Sequence, residues 1–249
     1  MRYKLTVEYD GTEFHGWQLQ PAARTVQGVL EEAVAQLFGA PVRVAAAGRT
    51  DAGVHASGQI VAFTTASARP PEVVLRALNA LTPFDVSIRS AETVSDAFDP
   101  RRSARSRIYR YRIWNTAWRS PFWRRYAWHI ARPLDVERMA AAARELVGEH
   151  DFTSFRAADC DAKHPVRTIH GSEIAAIDQQ IIYTVEANAF LRSMVRNIIG
   201  TLVEIGLGER DAGAIGELLA ARDRTLAGDT APACGLCLER VKYPDDGDR

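Results

Sequence analysis

The stretch Ala46-Ala47-Gly48-Arg49-Thr50-Asp51-Ala52-Gly53-Val54-His55-Ala56 is rich in turn residues and lies between two runs that read as strands, 42–47 and 58–64. Its reading sets the order of the whole N-terminal part. Ahead of it, residues 2–8 alternate: Tyr3, Leu5, Val7 and Tyr9 share one face, and Lys4, Thr6 and Glu8 the other, the mark of a half-buried strand. Asp10-Gly11 breaks that strand. Thr25 is a good N-cap for a helix over Val26–Phe38, whose Val26, Val29, Leu30, Ala33, Val34 and Leu37 form an apolar stripe. Beyond the loop, Pro70-Pro71 opens a helix over 72–81 with Val74, Leu75, Leu78 and Leu81 inward. Pro83 ends it, and Val86–Val94 reads as a fourth strand. The first 95 residues therefore run β-α-β-β-α-β, a ferredoxin-like order with an antiparallel sheet and helices on one face.

The rest of the chain continues the mixed pattern without a visible sequence repeat. Residues 106–115 alternate over a long strand, with Tyr109, Tyr111 and Ile113 on one face and Ile108, Arg110, Arg112 and Trp114 on the other. A helix is expected over 134–146, with Asp135 near its start. A polar loop with Cys160 follows over 156–165. Residues 167–177 and 181–189 read as a hairpin around Asp178-Gln179-Gln180. A helix over 190–207 carries Met194, Val195, Ile198, Ile199, Leu202, Val203 and Ile205, and Gly206 and Gly208 end it. A short helix over 211–219, a last strand over 236–243 and a frayed polar tail, Asp245-Asp246-Gly247-Asp248-Arg249, complete the chain. The domain reading is 1–102 for an N-terminal subdomain and 103–249 for a C-terminal one.

Composition is that of an ordinary globular protein, 47% hydrophobic and 25% charged over 249 residues. No apolar run is long enough to cross a bilayer, and because the start reads at once as a strand, no signal peptide is expected. Three cysteines argue against a disulfide framework and for a reducing compartment, so the cytoplasm is the expected location. Net charge is +0, but its distribution is uneven. Residues 101–125 hold nine Arg and no Asp or Glu, interleaved with Tyr109, Tyr111, Trp114, Trp118, Phe122 and Trp123. Arginines for phosphates and rings for bases compose an RNA-binding face. A solvated strand with core aromatics is the plainer alternative.

In the opening stretch, Gly48 and Gly53 allow φ > 0 and close backbone approach. A carboxylate beside a guanidinium, as Asp51 is near Arg49, stays ionised and can be aimed. On residues alone Asp51 is a nucleophile, a base, or a turn carboxylate capping backbone N–H groups. Cys234-Gly235-Leu236-Cys237 is a single CxxC, and zinc would need a second ligand pair. No phosphate loop, dinucleotide fingerprint or HExxH motif occurs, so neither metal nor cofactor is expected.

Gly48-Arg49-Thr50-Asp51-Ala52-Gly53-Val54-His55-Ala56 resembles the active-site loop of the tRNA pseudouridine synthase A family. The YDGT…F.GWQ.Q stretch near the start, the Arg-x-Tyr-x-Tyr run reaching Tyr109, Asp151-Phe152-Thr153-Ser154-Phe155, FLRSMVRNIIG from Phe190, and the Ala-Pro-x-x-Gly-Leu-x-Leu frame from Ala231 fall in the family's order. The resemblance implies two ferredoxin-like, RRM-like halves sharing a mixed, mainly antiparallel sheet, an α+β fold. It implies an isomerase that converts uridine to pseudouridine at positions 38, 39 and 40 of the tRNA anticodon stem–loop, acting as a homodimer without cofactor. Asp51 is then the essential carboxylate; attack on ribose C1′, attack on uracil C6 and removal of a ribose proton all remain open to it. Tyr109 stacks on the base, Arg196 pairs with the carboxylate, Leu236 packs against the base, and Arg49 and His55 hold RNA. Asp99-Pro100 stands where the family carries a His after the Phe, which puts that His contact in doubt but not the chemistry. A non-catalytic RNA-binding protein is the alternative, and an aspartyl-nucleophile hydrolase or phosphotransferase lacks the second acid it would need.

Overall fold

The computed structural model describes residues 1–158, 160 and 162–244. In chain order the elements are β1 (Arg2–Tyr9), α1 (Val26–Phe38), β2 (Ala45–Ala46), β3 (His55–Thr64), α2 (Pro71–Leu81), β4 (Val86–Val94) and β5 (Ser106–Asn115). There follow β6 (Trp128–Ile130), α3 (Val136–Arg144), β7 (Gly148–Asp151), β8 (Val166–Ile177), β9 (Gln180–Ala187), α4 (Met194–Gly206), α5 (Ala214–Ala221) and β10 (Leu236–Lys242). The fold is α+β, and the chain divides into two compact units: Met1–Arg105 with the chain from Cys237 onward, and Ser106–Leu236.

In the first unit the strand order is β4-β1-β3, with β2 and β10 sharing the far edge of β3. β1 pairs antiparallel with both neighbours, and its Tyr3, Leu5, Val7 and Tyr9 are buried as the alternation requires. α1 starts where expected: the Thr25 hydroxyl accepts from Gly28 N–H, one of the donors a helix N-terminus leaves unpaired. Phe38 at its end lies against the rings of Tyr3 and Phe63, so the helix covers that face of the sheet. In α2, Val74 and Leu78 are buried, and Asn79 brackets Ile88 of β4 by bonds to its N–H (2.9 Å) and C=O (2.8 Å). The strand expected over 42–47 is only the two-residue β2, because Gln27 and Glu31 of α1 hold the backbone of Val44 instead. β10 runs parallel to β3 at Cys237 and Leu238, and it comes so close that a Cβ on Gly58 would lie 2.2 Å from the Glu239 carbonyl oxygen.

The second unit is an antiparallel sheet in the order β5-β9-β8-β7, with β6 parallel to β5. Tyr111, Ile113, Tyr183, Val185 and Ala187 are buried, as are Met139, Ala142 and Ala143 of α3 and most of α4. The helix expected over 190–207 begins only at Met194. Ser193 sits before it at φ +58, a left-handed conformation that turns the chain into the helix. The helix expected over 211–219 runs instead over Ala214–Ala221. The tail at 245–249, and residues 159 and 161 of the polar loop, lie outside the described residues.

Asp99-Pro100 has a local role of its own. The Asp99 carboxylate accepts the N–H groups of Arg101 and Arg102, both at 2.9 Å, and Pro100 offers its carbonyl to the Tyr243 hydroxyl at 2.7 Å. This turn aims two arginines outward. The Arg102 and Arg101 N–H groups, with the nearby guanidinium charges, hold the Asp99 carboxyl below the usual carboxylate range. A carboxyl whose pKa is depressed on folding contributes stability above its unfolded value, near 3.9, and loses it as pH falls through the folded one. Asp99→Ala should therefore lower the urea midpoint at neutral pH, with the gap to wild type narrowing below about pH 4. A gap that stays constant from pH 7 to pH 3 would refute the turn's electrostatic origin.

Candidate active site

In the first unit, the loop between β2 and β3 rests on the segment that follows β1. Trp17 N–H donates to Thr50 O (3.0 Å) and Gly53 N–H to Phe14 O (3.2 Å), while within the loop Val54 N–H donates to Asp51 O (3.1 Å). Gly53 takes φ +78 at the reversal. The two backbones approach so closely that side chains are excluded between them. A Cβ on Gly11 would lie 2.0 Å from Val54 O, and one on Gly16, which is also at φ +84, would lie 2.7 Å from Thr50 O. Those two glycines belong to the YDGT…F.GWQ.Q stretch, whose sequence alone gave no reason for them.

The supporting segment is itself held. Val26 and Gln27, the first residues of α1, donate to the carbonyls of Gly16 (3.2 Å) and Trp17 (3.0 Å). The Arg24 guanidinium lies 4.0 Å above the Phe14 ring and makes a bidentate pair with Asp85 at 2.8 and 2.9 Å. Beneath the loop, the Tyr9 hydroxyl is 2.8 Å from Thr50 Oγ1, and burial pushes its pKa well above the ordinary tyrosine value, so it stays neutral. Gln59, fully buried, donates to Gly48 O at 2.8 Å.

Arg49 is exposed and Asp51 is partly exposed. His55 is 6% exposed; its Nδ1 accepts Gly11 N–H at 3.0 Å and lies 3.2 Å from Asp10 Oδ1. The Asp10 carboxylate also receives Thr12 N–H at 3.0 Å and the Thr12 hydroxyl at 2.5 Å.

The other sequence-predicted residues stand in the second unit. Tyr109, on β5 opposite Val185, is 8% exposed, with its ring edge-on to Phe190 at 5.1 Å and 84°. Arg196, on the first turn of α4, donates from Nε to Ala231 O at 2.7 Å, and Ala231 N–H returns a bond to Arg196 O at 3.1 Å. The Ala231 segment is fastened from behind. Asn197, 1% exposed, donates to Phe155 O and accepts from Thr230 Oγ1 (2.6 Å) and Arg224 (3.1 Å). A Cβ on Gly200 would meet Asp229 O at 1.8 Å. Leu236, 6% exposed, follows Gly235, whose missing side chain leaves room for Tyr111: a Cβ there would lie 2.6 Å from the ring. Tyr111 is fully buried, with its hydroxyl on Pro232 O at 2.8 Å, so it is a core residue. Thr230 and Arg224 carry no legible motif; Asn197, within FLRSMVRNIIG, is the one signal that could have flagged the cluster. Among the described residues, no three His, Cys, Asp or Glu side chains are grouped closely enough to hold a metal.

The family model for tRNA pseudouridine synthase matches residues 5–101 and 142–244. Relatives called tRNA pseudouridine synthase A run nearly the whole length. That of Myxococcus xanthus is 49% identical over 245 residues, 98% of this chain and 92% of its own. That of Methylobacterium sp. (strain 4-46) is 49% identical over 99% of both chains, and that of Enterobacter sp. (strain 638) 45% identical over 98% and 90%. The chain belongs to the tRNA pseudouridine synthase family, whose members are isomerases. Its mixed, mainly antiparallel sheets and helices are those of the pseudouridine synthase fold.

The geometry makes a structural prediction that is independent of chemistry. Gly11→Ala must push Val54 away, since backbone cannot yield as a side-chain tip does. Amide hydrogen exchange at residues 51–55 should then speed up by tenfold or more, at a cost of about 1–3 kcal/mol in stability. Unchanged protection of Gly53 and Val54 would mean the loop does not depend on this contact.

Proposed function

We propose that this chain isomerises uridine to pseudouridine in tRNA, at positions 38, 39 and 40 of the anticodon stem–loop, with Asp51 as the essential carboxylate. The observation that carries the reading is the doubly braced loop: Asp51 sits on backbone anchored at Thr50 and Gly53, within a family whose members are tRNA pseudouridine synthases. The reaction breaks the bond from ribose C1′ to uracil N1 and makes one from C1′ to C5. C5 gives up its hydrogen as a proton and N1 gains one. Electrons balance within the substrate, so the chemistry needs no redox partner and no added group.

Attack on C1′, attack on C6 and removal of a ribose proton each demand an ionised carboxylate held in one direction, which a braced backbone supplies. Arg196 is the proposed cation for it, its guanidinium plane fixed by the Nε bond to Ala231. Tyr109, steadied edge-on by Phe190, stacks on the base, and its hydroxyl moves the C5 proton. Leu236 forms the apolar wall against the detached uracil. Exposed Arg49 holds RNA directly. His55 serves RNA binding indirectly, because its ring is buried and accepts from Gly11 N–H, in the segment on which the loop rests. The target nucleotide leaves the stack at a cost of a few kcal/mol, least in a loop or at a stem end, which favours the anticodon stem–loop. A homodimer and a cytoplasmic location belong to the same proposal. The free cysteines support the location, as a reducing compartment leaves thiols unpaired; the homodimer rests on the family likeness alone.

Release of tritium from C5-labelled uridine in tRNA reads the reaction directly. Asp51→Asn should lower it at least a thousandfold while tRNA affinity stays within about tenfold, since phosphate contacts supply most of the binding. Turnover near wild type in Asp51→Asn would end the mechanism. Chemical mapping of tRNA from a strain lacking this protein should show loss at 38–40, and loss elsewhere would overturn the positions.

Tyr109 separates two jobs. Tyr109→Phe keeps the ring and should bind tRNA almost normally but turn over about 10²–10⁴-fold more slowly. Tyr109→Leu should also lose affinity, stacking being worth about 1–3 kcal/mol per base. A fully active Phe variant would leave the hydroxyl no chemical role.

A further inference from the structure

The end of β5 and its connection to β6 carry large rings with different fates. Trp114 and Trp123 stack on each other at 6.2 Å and 20°. Trp118 and Phe122, between them in sequence, are 84% and 87% exposed. The connection is well tied down. The Trp118 carbonyl receives both Trp114 Nε1 (3.1 Å) and the Thr116 hydroxyl (2.6 Å). His129 Nε2 lies 2.9 Å from Thr116 O, and the N–H groups of Tyr126 and Ala127 close onto Trp123 O, each at 2.9 Å. Two rings are thus held out on anchored backbone.

Single exposed apolar residues are ordinary, and Phe84 is one. Trp118 and Phe122 differ in their setting. They lie four residues apart beside Arg119 and Arg124, both exposed, and no Asp or Glu occurs anywhere between Asp99 and Asp135. A second copy of this chain is a poor occupant, because a two-fold contact through the patch would set arginines against arginines. A polyanion with accessible ring faces fits both features, which excludes a regular duplex, whose bases are already stacked.

We propose that Trp118 and Phe122 form a stacking platform for unpaired bases of the tRNA substrate, with Arg119 and Arg124 on the flanking phosphates. The proposal rests on the reading that the substrate is RNA. It adds a contact surface outside the residues assigned to the reaction, and with it a preference for tRNA over duplex RNA.

Fluorescence anisotropy with labelled tRNA tests it. Trp118→Ala with Phe122→Ala should weaken tRNA binding by about tenfold or more, and should leave binding to a fully paired RNA of similar length within twofold. Trp118→Tyr with Phe122→Tyr keeps two rings and should restore tRNA affinity to within about threefold, which a merely structural defect would not allow. Arg119→Ala with Arg124→Ala should reduce the salt slope by up to about two units. An alanine pair that binds tRNA like wild type overturns the platform. So does one whose sedimentation changes while tRNA affinity does not, since the patch would then join copies of the chain. Wild-type protein that binds tRNA but releases no tritium would instead overturn the isomerase reading, with the platform still judged by these affinities.

Discussion

Backbone packed against backbone, without side chains between, is the constraint on which the loop carrying Asp51 depends. Peptide groups at 11–17 and 50–54 meet through Trp17–Thr50 and Gly53–Phe14 hydrogen bonds, and two glycines make the approach possible. A loop held this way has few soft torsions left. Its position is inherited from the start of α1, through Gly16 and Trp17, and from the Arg24–Asp85 pair. A short polar loop, usually among the more mobile parts of a protein, thereby becomes an extension of a helix terminus and a sheet. Asp51 needs that rigidity under the proposed chemistry, because a carboxylate that must meet one atom of a nucleotide gains from orientation more than from any change in its own acidity.

The second unit solves a similar problem with polar side chains. Asn197 and Thr201, both buried on α4, take up Phe155 O, Thr230, Arg224 and Gly228 N–H, and so fix an otherwise irregular segment on the helix. Arg196 gains its orientation from this latch, since its Nε partner Ala231 belongs to the segment so fastened. A buried polar cluster of this kind is costly unless every member is paired. Here the pairing extends from helix to loop, and Arg196, the cation of the proposed site, adjoins it.

Much of this was legible in the sequence, and the failures have physical causes. α1, β4 and β5 fall where period and caps put them, because their patterns are long and their ends carry Thr25, Pro83 or a break in alternation. The 42–47 strand shrank to Ala45–Ala46 because side chains of α1 took its backbone partners, a tertiary effect that no local pattern announces. The late helix starts at Met194, four residues after the expected 190, because Ser193 adopts a left-handed turn. β6 and β7 are too short to read. Nothing local in β10 says that it runs parallel to β3. Asp51 and Arg196 enter the proposed site through the family likeness, whereas Gly11, Gly16, Asn197 and Arg224 could not be given reasons until the backbone they serve was known. Of the arginine-rich window, Arg107 proved buried on Asn188 O and Tyr111 a core residue, so composition overstated the exposed face.

The most direct measurement is the single-turnover rate of Gly11→Ala at saturating tRNA, with Asp51 untouched. If the brace makes the carboxylate effective, the rate should fall by about a hundredfold, the usual consequence of displacing a catalytic group by an ångström, while tRNA affinity stays near wild type. A variant whose loop is loosened, as hydrogen exchange reports, but whose rate equals that of wild type would contradict the account.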